Sequence, residues 1–250
     1  MATLRPFSRA LLSSLALIIS ITLFACAKPP QPVHEEPPQP AAPEATASAD
    51  TPPEPEPKPD LSPATMAQAT EAITRIYKDA VTVDSSYSPV QGDFNGDGSP
   101  DLAVVVKPVK AKLAEINDDL ASWMVRDPHT ELLPTPSLAR NPGETKPRPS
   151  ITERDAEVLA IIHGFGSKGW RVAEAQQTFL LKGVVGSEMT TKLKKDLMPA
   201  VKKGKLPPLK GDILTENVAG QAGFVYYTGS SYAWCDPRTY KPEPEKILVH

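Results

Sequence analysis

The chain has 250 residues, 29 of them proline and two of them cysteine, with a formal net charge of −3. Residues 1–25 read as an export signal and 26–60 as a proline-rich tether, so about 190 residues remain for a single globular domain at 61–250. The leader carries Arg5 and Arg9, the tether seven acids against two lysines, and the remainder 23 acids against 23 bases. That balance excludes a domain held to nucleic acid by bulk positive charge.

The leader starts with Arg5 and Arg9, runs through Leu11 to Ile21 and closes on Leu23-Phe24-Ala25-Cys26. A basic start, a short apolar middle and a small residue before the cut make an export signal rather than a membrane-spanning helix. Leu23, Ala25 and Cys26 resemble the bacterial lipobox, with Phe24 bulkier than the usual residue at its position. The resemblance implies a diacylglyceryl anchor on Cys26 and a membrane as partner. Ala27, in place of Asp, implies an outer-membrane location facing the periplasm or the surface if the envelope is Gram-negative. Cys235 is then the only other cysteine, which leaves the fold without an internal disulfide and makes a buried, unreactive thiol the expectation. Residues 27–60 hold twelve prolines and one large aliphatic residue, Val33. They cannot bury enough apolar surface to fold and are read as a disordered spacer. At about 3.1 Å per residue its reach is on the order of 100 Å.

Met66, Ala69, Ile73, Ile76 and Ala80 recur at helical spacing and predict an amphipathic helix over 64–80. Leu102 to Val106, rich in β-branched residues and set between Pro100 and Pro108, predicts a buried strand. Val109, Leu113, Ile116, Leu120 and Trp123 or Met124 predict a second helix over 109–125. Six prolines interrupt 127–150, which reads as a mobile insertion or a binding loop. Val158 to His163 and Gln177 to Leu181 are further strands. Asp212 to Val218, Gly223 to Thr228 and Tyr232 to Trp234 suggest a terminal hairpin. The expected class is α+β: a mostly antiparallel sheet with two or more helices packed on it, following the tether.

The most informative stretch is Asp93-Phe94-Asn95-Gly96-Asp97-Gly98-Ser99-Pro100-Asp101, with oxygen side chains at positions 1, 3, 5 and 9 and glycine at 6. A hard divalent cation such as Ca²⁺ takes six to eight oxygens, and alternate residues of a curled loop direct theirs inward. The expected ligands are Asp93, Asn95, Asp97, the Ser99 carbonyl oxygen and Asp101. Val104 stands where an EF-hand has its bidentate Glu, so water or a remote oxygen must complete the shell. The same residue types also form metal-free Asx turns. With Gly92 before it and Leu102 to Val105 after it, the loop resembles the calcium loop of FG-GAP and VCBS-type repeats. The single copy does not imply their propeller. It resembles instead a bacterial lipoprotein with one such loop, a group mostly without assigned activity.

Other motifs carry less. His163 to Gly169 contains G-x-G-x-x-G after a strand, but a helix start and a ribose-binding acid do not follow; Glu188 ends no clear strand. No G-x-S-x-G accompanies His34, His129, His163 or His250. Asp118 and Asp119 read as solvated acids on a helix. Lys192, Lys194, Lys195, Lys202, Lys203, Lys205 and Lys210 form a basic cluster, either a solvated polar face or a dock for anionic head groups or wall polymers. Alternation sends Phe224 and Tyr226 to one face of the last hairpin and Tyr227 to the other, one face being core and the second open for stacking on a sugar or peptide. The expectation is a non-enzymatic, membrane-anchored lipoprotein with a structural Ca²⁺ and an envelope or extracellular partner. The alternative is an exported hydrolase with a site near 127–150, His129 or His163. An imidazole sharing a cleft with an acid or a Ser/Thr hydroxyl would favour it.

Overall fold

The run Asp101–Pro108 forms the longest strand, β3, and six successive residues of it, Asp101 to Val106, are buried. Continuous burial requires cover on both faces of the sheet. The computed structural model describes residues 57–131, 148–175 and 177–242. The predicted signal, Cys26, nearly all of the predicted tether, and 132–147 of the proline-rich loop lie outside the described residues.

Chain order begins with helix α1 (Met66–Tyr77), followed by β1 (Val81–Val83), β2 (Val90–Gly92) and β3; a 3₁₀ turn (Lys110–Lys112) then leads into α2 (Leu113–Ile116). Next come β4 (Met124–Arg126), β5 (Val158–Ile162), β6 (Thr178–Lys182), β7 (Thr190–Lys192) and α3 (Lys194–Lys202). Strands β8 (Ile213–Val218), β9 (Gln221–Tyr227) and β10 (Tyr232–Cys235) complete the described elements. The first sheet has the order β1-β3-β5-β6-β4, with β2 also paired to β3, and the second the order β10-β9-β8-β7. Every pairing is antiparallel except β4 with β6. The class is α+β as the sequence predicts, with two sheets.

Alternation along β3, β5 and β6 divides their side chains between two cores. Val104, Val106, Val158, Ala160, Ile162 and Leu180 pack with α1, α2 and Trp123 on one face. Ala103, Val105, Leu159, Ile161, Phe179 and Leu181 pack against Leu214, Val225, Tyr227 and Tyr232 of the second sheet. The outer face of that sheet, with Ile213, Phe224 and Tyr226, is covered by Leu197, Ala200 and Val201 of α3. The layers are therefore helix, sheet, sheet, helix.

Helix α1 begins on a capping box, Thr65 Oγ1 accepting from the Gln68 amide and Gln68 Oε1 from the Thr65 amide. Helix 109–125, predicted from spacing, is replaced by the short turns at 110–116 and then by β4. Asn117 Nδ2 donates to the carbonyls of Leu113 and Ile151, and Trp123 Nε1 donates to that of Ile116, so the helix's terminal carbonyls are taken by side chains. Asp118 and Asp119 are consequently not on a helix: Asp118 accepts from the Leu120 amide, and Asp119 pairs with Arg148.

The predicted terminal strands are β8, β9 and β10. Ala219 and Gly220, both at positive φ (50° and 81°), turn β8 into β9. Both aromatic faces of this hairpin are core, because Phe224 and Tyr226 meet α3 while Tyr227 meets the first sheet. The open stacking face is thereby corrected. Cys235 is buried, and burial pushes its thiol up to about 12, as expected of an inert cysteine.

Candidate functional site

The loop Asp93–Asp101 connects β2 to β3, and its curl is built from its own side chains. Asp93 Oδ1 accepts from the amides of Gly96 (2.8 Å) and Asp97 (3.1 Å), and Oδ2 from that of Gly98 (3.1 Å). Asn95 Oδ1 accepts from the Asp97 amide at 3.0 Å, Asn95 Nδ2 donates to Asp97 Oδ2 at 2.9 Å, and Asp97 Oδ1 accepts from the Ser99 amide at 2.7 Å. Each is an Asx turn or its extension. Gly96 and Gly98 have φ of 79° and 87°, the left-handed region in which glycine is at home.

Asp101 is fully buried beneath this curl. Its Oδ2 accepts from Phe94 N (2.7 Å) and Asn95 N (3.1 Å), and its Oδ1 from Gly164 N at 2.7 Å. Three amides thus meet one carboxylate, and loop, strand β3 and the end of β5 are joined at a single side chain. Burial pushes the Asp101 carboxyl up to about 8 against the opposing pull of those amides. Asp93 is also raised, first by burial and then by the charges of Asp97 and Asp212. Among the described residues no ion pair reaches any acid of the loop.

Asp212 is the acid that sequence spacing could not place here. Its Oδ2 accepts from Asp93 N at 3.1 Å, its amide donates to Asp93 O at 2.7 Å, and its Oδ1 accepts from Lys194 N at 2.8 Å. One carboxylate therefore caps α3, whose N-cap residue Leu193 has no capping side chain, and ties it to the loop.

The five predicted ligands thus sit in one loop, but the side-chain oxygens of Asp93, Asn95, Asp97 and Asp101 are directed mainly onto backbone amides. Among the described residues no three His, Cys, Asp or Glu side chains are grouped so as to hold a metal ion. A Ca²⁺ shell would need the neutral oxygens of Asn95 and Ser99 as well, and a turn of the carboxylates toward a common point.

The remaining candidates have other partners. Gly164 and Gly169 of the glycine-rich stretch back onto the loop; a Cβ there would stand 2.1 Å and 2.3 Å from the Pro100 carbonyl oxygen. The Trp170 amide donates to that same oxygen at 2.9 Å. The glycines permit close approach of two backbones, and no helix opens after them.

His163 is buried, with Nδ1 2.8 Å from Gln177 Oε1 and Nε2 2.6 Å from the Tyr232 hydroxyl. Burial lowers its pKa, and with the proton on Nδ1 the other nitrogen accepts from Tyr232. His129 is exposed, its Nε2 2.9 Å from the Gly183 carbonyl oxygen and its ring 5.1 Å from that of Trp234. Neither imidazole hydrogen-bonds an acid or a Ser/Thr hydroxyl among the described residues.

Comparisons with protein-family models, with curated proteins and with solved structures find no match to this chain.

Proposed function

We propose that the chain is an exported lipoprotein, anchored to a membrane through Cys26, whose domain is an envelope interaction or structural module stabilised by one Ca²⁺ in the Asp93–Asp101 loop. The observation that carries the ion is the concentration of buried or half-buried carboxyl groups without a basic partner, which a cation would hold in the ionised form. Asp101 lies in the interior, Asp93 is raised first by burial and then by repulsion from Asp97 and Asp212, and Asp212 adds a further carboxylate beside them. A divalent cation offsets that repulsion directly.

Asp93, Asn95, Asp97, the Ser99 carbonyl and Asp101 would hold the ion. Its chemistry there is structural, fixing the curl that joins β2, β3 and the Gly164 turn. Four ligand side chains without a bidentate Glu place the affinity at roughly 10⁻⁴ to 10⁻³ M, the range of extracellular modules. The sequence feature behind the anchor is the lipobox-like Leu23-Phe24-Ala25-Cys26.

Metabolic labelling with palmitate in a bacterial host tests the anchor. The full chain is expected to take up label and to fractionate with membranes, and the Cys26→Ser chain to take up none; label in both, or in neither, contradicts the reading. Melting curves with Ca²⁺ and with chelator test the ion. A rise with Ca²⁺ that Asp97→Ala abolishes supports it, and identical curves contradict it.

A further inference from the structure

Leu61 and Leu193 are two of the four large apolar side chains that the described residues leave exposed, at 74% and 42%. Both line one cleft of about 920 Å³, together with Pro59, Met189, Lys194 and Lys195 and, on the side of the Asp93–Asp101 loop, Asp93 and Asp212. Leu193 precedes α3, and Lys195 and Lys202 on that helix lie opposite its packed stripe of Leu197, Ala200 and Val201. Lys210 flanks the same cleft, its carbonyl oxygen accepting from Lys194 Nζ at 2.6 Å.

Residues 192–212 hold seven lysines and two aspartates, whereas the rest of 61–250 holds 16 bases and 21 acids. The lysine excess is therefore local to this segment of a domain neutral in total. Among the described residues none of the seven lysines enters an ion pair. Lys192, Lys195, Lys202, Lys203, Lys205 and Lys210 are exposed.

Unpaired ammonium groups beside exposed leucines match one kind of surface. At a bilayer interface leucine enters the boundary between head groups and acyl chains while lysine meets the lipid phosphates. A hydrophilic polyanion would satisfy the lysines and leave Leu61 and Leu193 in water. The chain also enters the domain here: Pro59 and Leu61, just beyond the 56 residues that precede the described structure, line the cleft. We propose that the Leu61/Leu193 cleft and the lysines of α3 form a docking face for an anionic phospholipid bilayer. The face works through its own leucines and lysines and does not depend on a lipid at Cys26 or on an ion in the loop.

The test is flotation of Ala27–His250 with vesicles of phosphatidylglycerol and phosphatidylcholine, against vesicles of phosphatidylcholine alone, with chelator throughout. This chain lacks Cys26 and keeps the whole compact unit, Glu54–His250, to which every residue of the three cores belongs. Binding is expected only with the anionic vesicles and to weaken as salt rises. Each surface lysine is worth about fivefold in affinity, so Lys195→Gln with Lys202→Gln is expected to lose about 25-fold. Leu193→Gln and, independently, Leu61→Gln are expected to reduce binding, while Lys78→Gln with Lys110→Gln, at the opposite end of β3, leaves it unchanged. An unchanged melting temperature qualifies each variant as folded. Equal binding to neutral vesicles, no binding to anionic ones, or leucine variants that bind like the parent would overturn the proposal. So would soluble polyphosphate binding that the leucine variants retain in full while vesicles float free.

Discussion

A methyl group at Gly164 would stand 2.1 Å from the Pro100 carbonyl oxygen and 2.7 Å from the Gly169 Cα. Both neighbours are backbone and cannot swing away, so Gly164→Ala must displace the loop from the end of β5. A loss of about 1–3 kcal/mol, the usual cost of overpacking, is expected in urea unfolding. No change would show that the two backbones separate freely. Glu216 makes the complementary case, a buried carboxyl that faces backbone amides without meeting any in good hydrogen-bond geometry. Burial pushes it up to about 7, only partly offset by the facing amides of Gly186, Asn217 and Glu188. Its folded-state value exceeds its unfolded one, so its contribution is full below about 4.5 and is lost as pH rises through about 7. Glu216→Gln is expected to flatten this decline, by on the order of 2 kcal/mol between acid and neutral pH. Parallel stability profiles for parent and variant would contradict the assignment. At this scale the sequence disclosed Asp93, Asn95, Asp97 and Asp101, because alternation within nine residues is a local pattern. Asp212 and Gly164 were hidden, since they meet the loop from 119 and 63 residues away, measured to Asp93 and Asp101.

The strands of five or more residues, β3, β5, β6, β8 and β9, were legible from their apolar runs. The three-residue strands β1, β2, β4 and β7 were not, because so short a segment holds less than two periods of any pattern. Helix 109–125 failed for a different reason. Its spacing is helical, yet Asn117 offers the backbone better partners: Nδ2 to Leu113 O and Ile151 O, and Oδ1 from Ile151 N, each at 2.8 Å. Such side-chain competition is invisible to periodicity. Asn117→Ala is expected to destabilise the domain by about 1–3 kcal/mol, since the Ile151 amide loses its acceptor in a partly buried site. Equilibrium denaturation measures it, and a change under about 0.5 kcal/mol, typical of an ordinary surface substitution, would contradict this role for the side chain. Helix α3 was concealed in a lysine-rich segment for a related reason. Its cap is a distant side chain, Asp212, which only the folded chain brings to Lys194.

For the molecule as a whole, the first sheet divides its residues between two cores, and the second sheet shares one core with it and another with α3. No layer can lose its partner without exposing a face of the next, so unfolding is expected to be a single transition. Trp123 and Trp170 report the helix side of the first sheet, and Trp234 packs against the core between the sheets. Their fluorescence is expected to change together with far-ultraviolet dichroism in urea; two separated transitions would contradict the shared-core account. The antiparallel α+β class was legible from the grouping of strands, but the division into two sheets was not, because a continuous apolar run shows that both faces of a strand are covered and not whether a helix or a second sheet covers them. The proposed ion in the Asp93–Asp101 loop is read out by calorimetric titration of Ala27–His250 with Ca²⁺, with Asp97→Ala alongside. Saturable one-site heat is expected with Kd of about 10⁻⁴ to 10⁻³ M, and about 1.4–2.7 kcal/mol of added stability at about 10 mM Ca²⁺, both absent from the variant. No heat and no stabilisation at that concentration would leave Asp93–Asp101 a metal-free turn closed by its own amides.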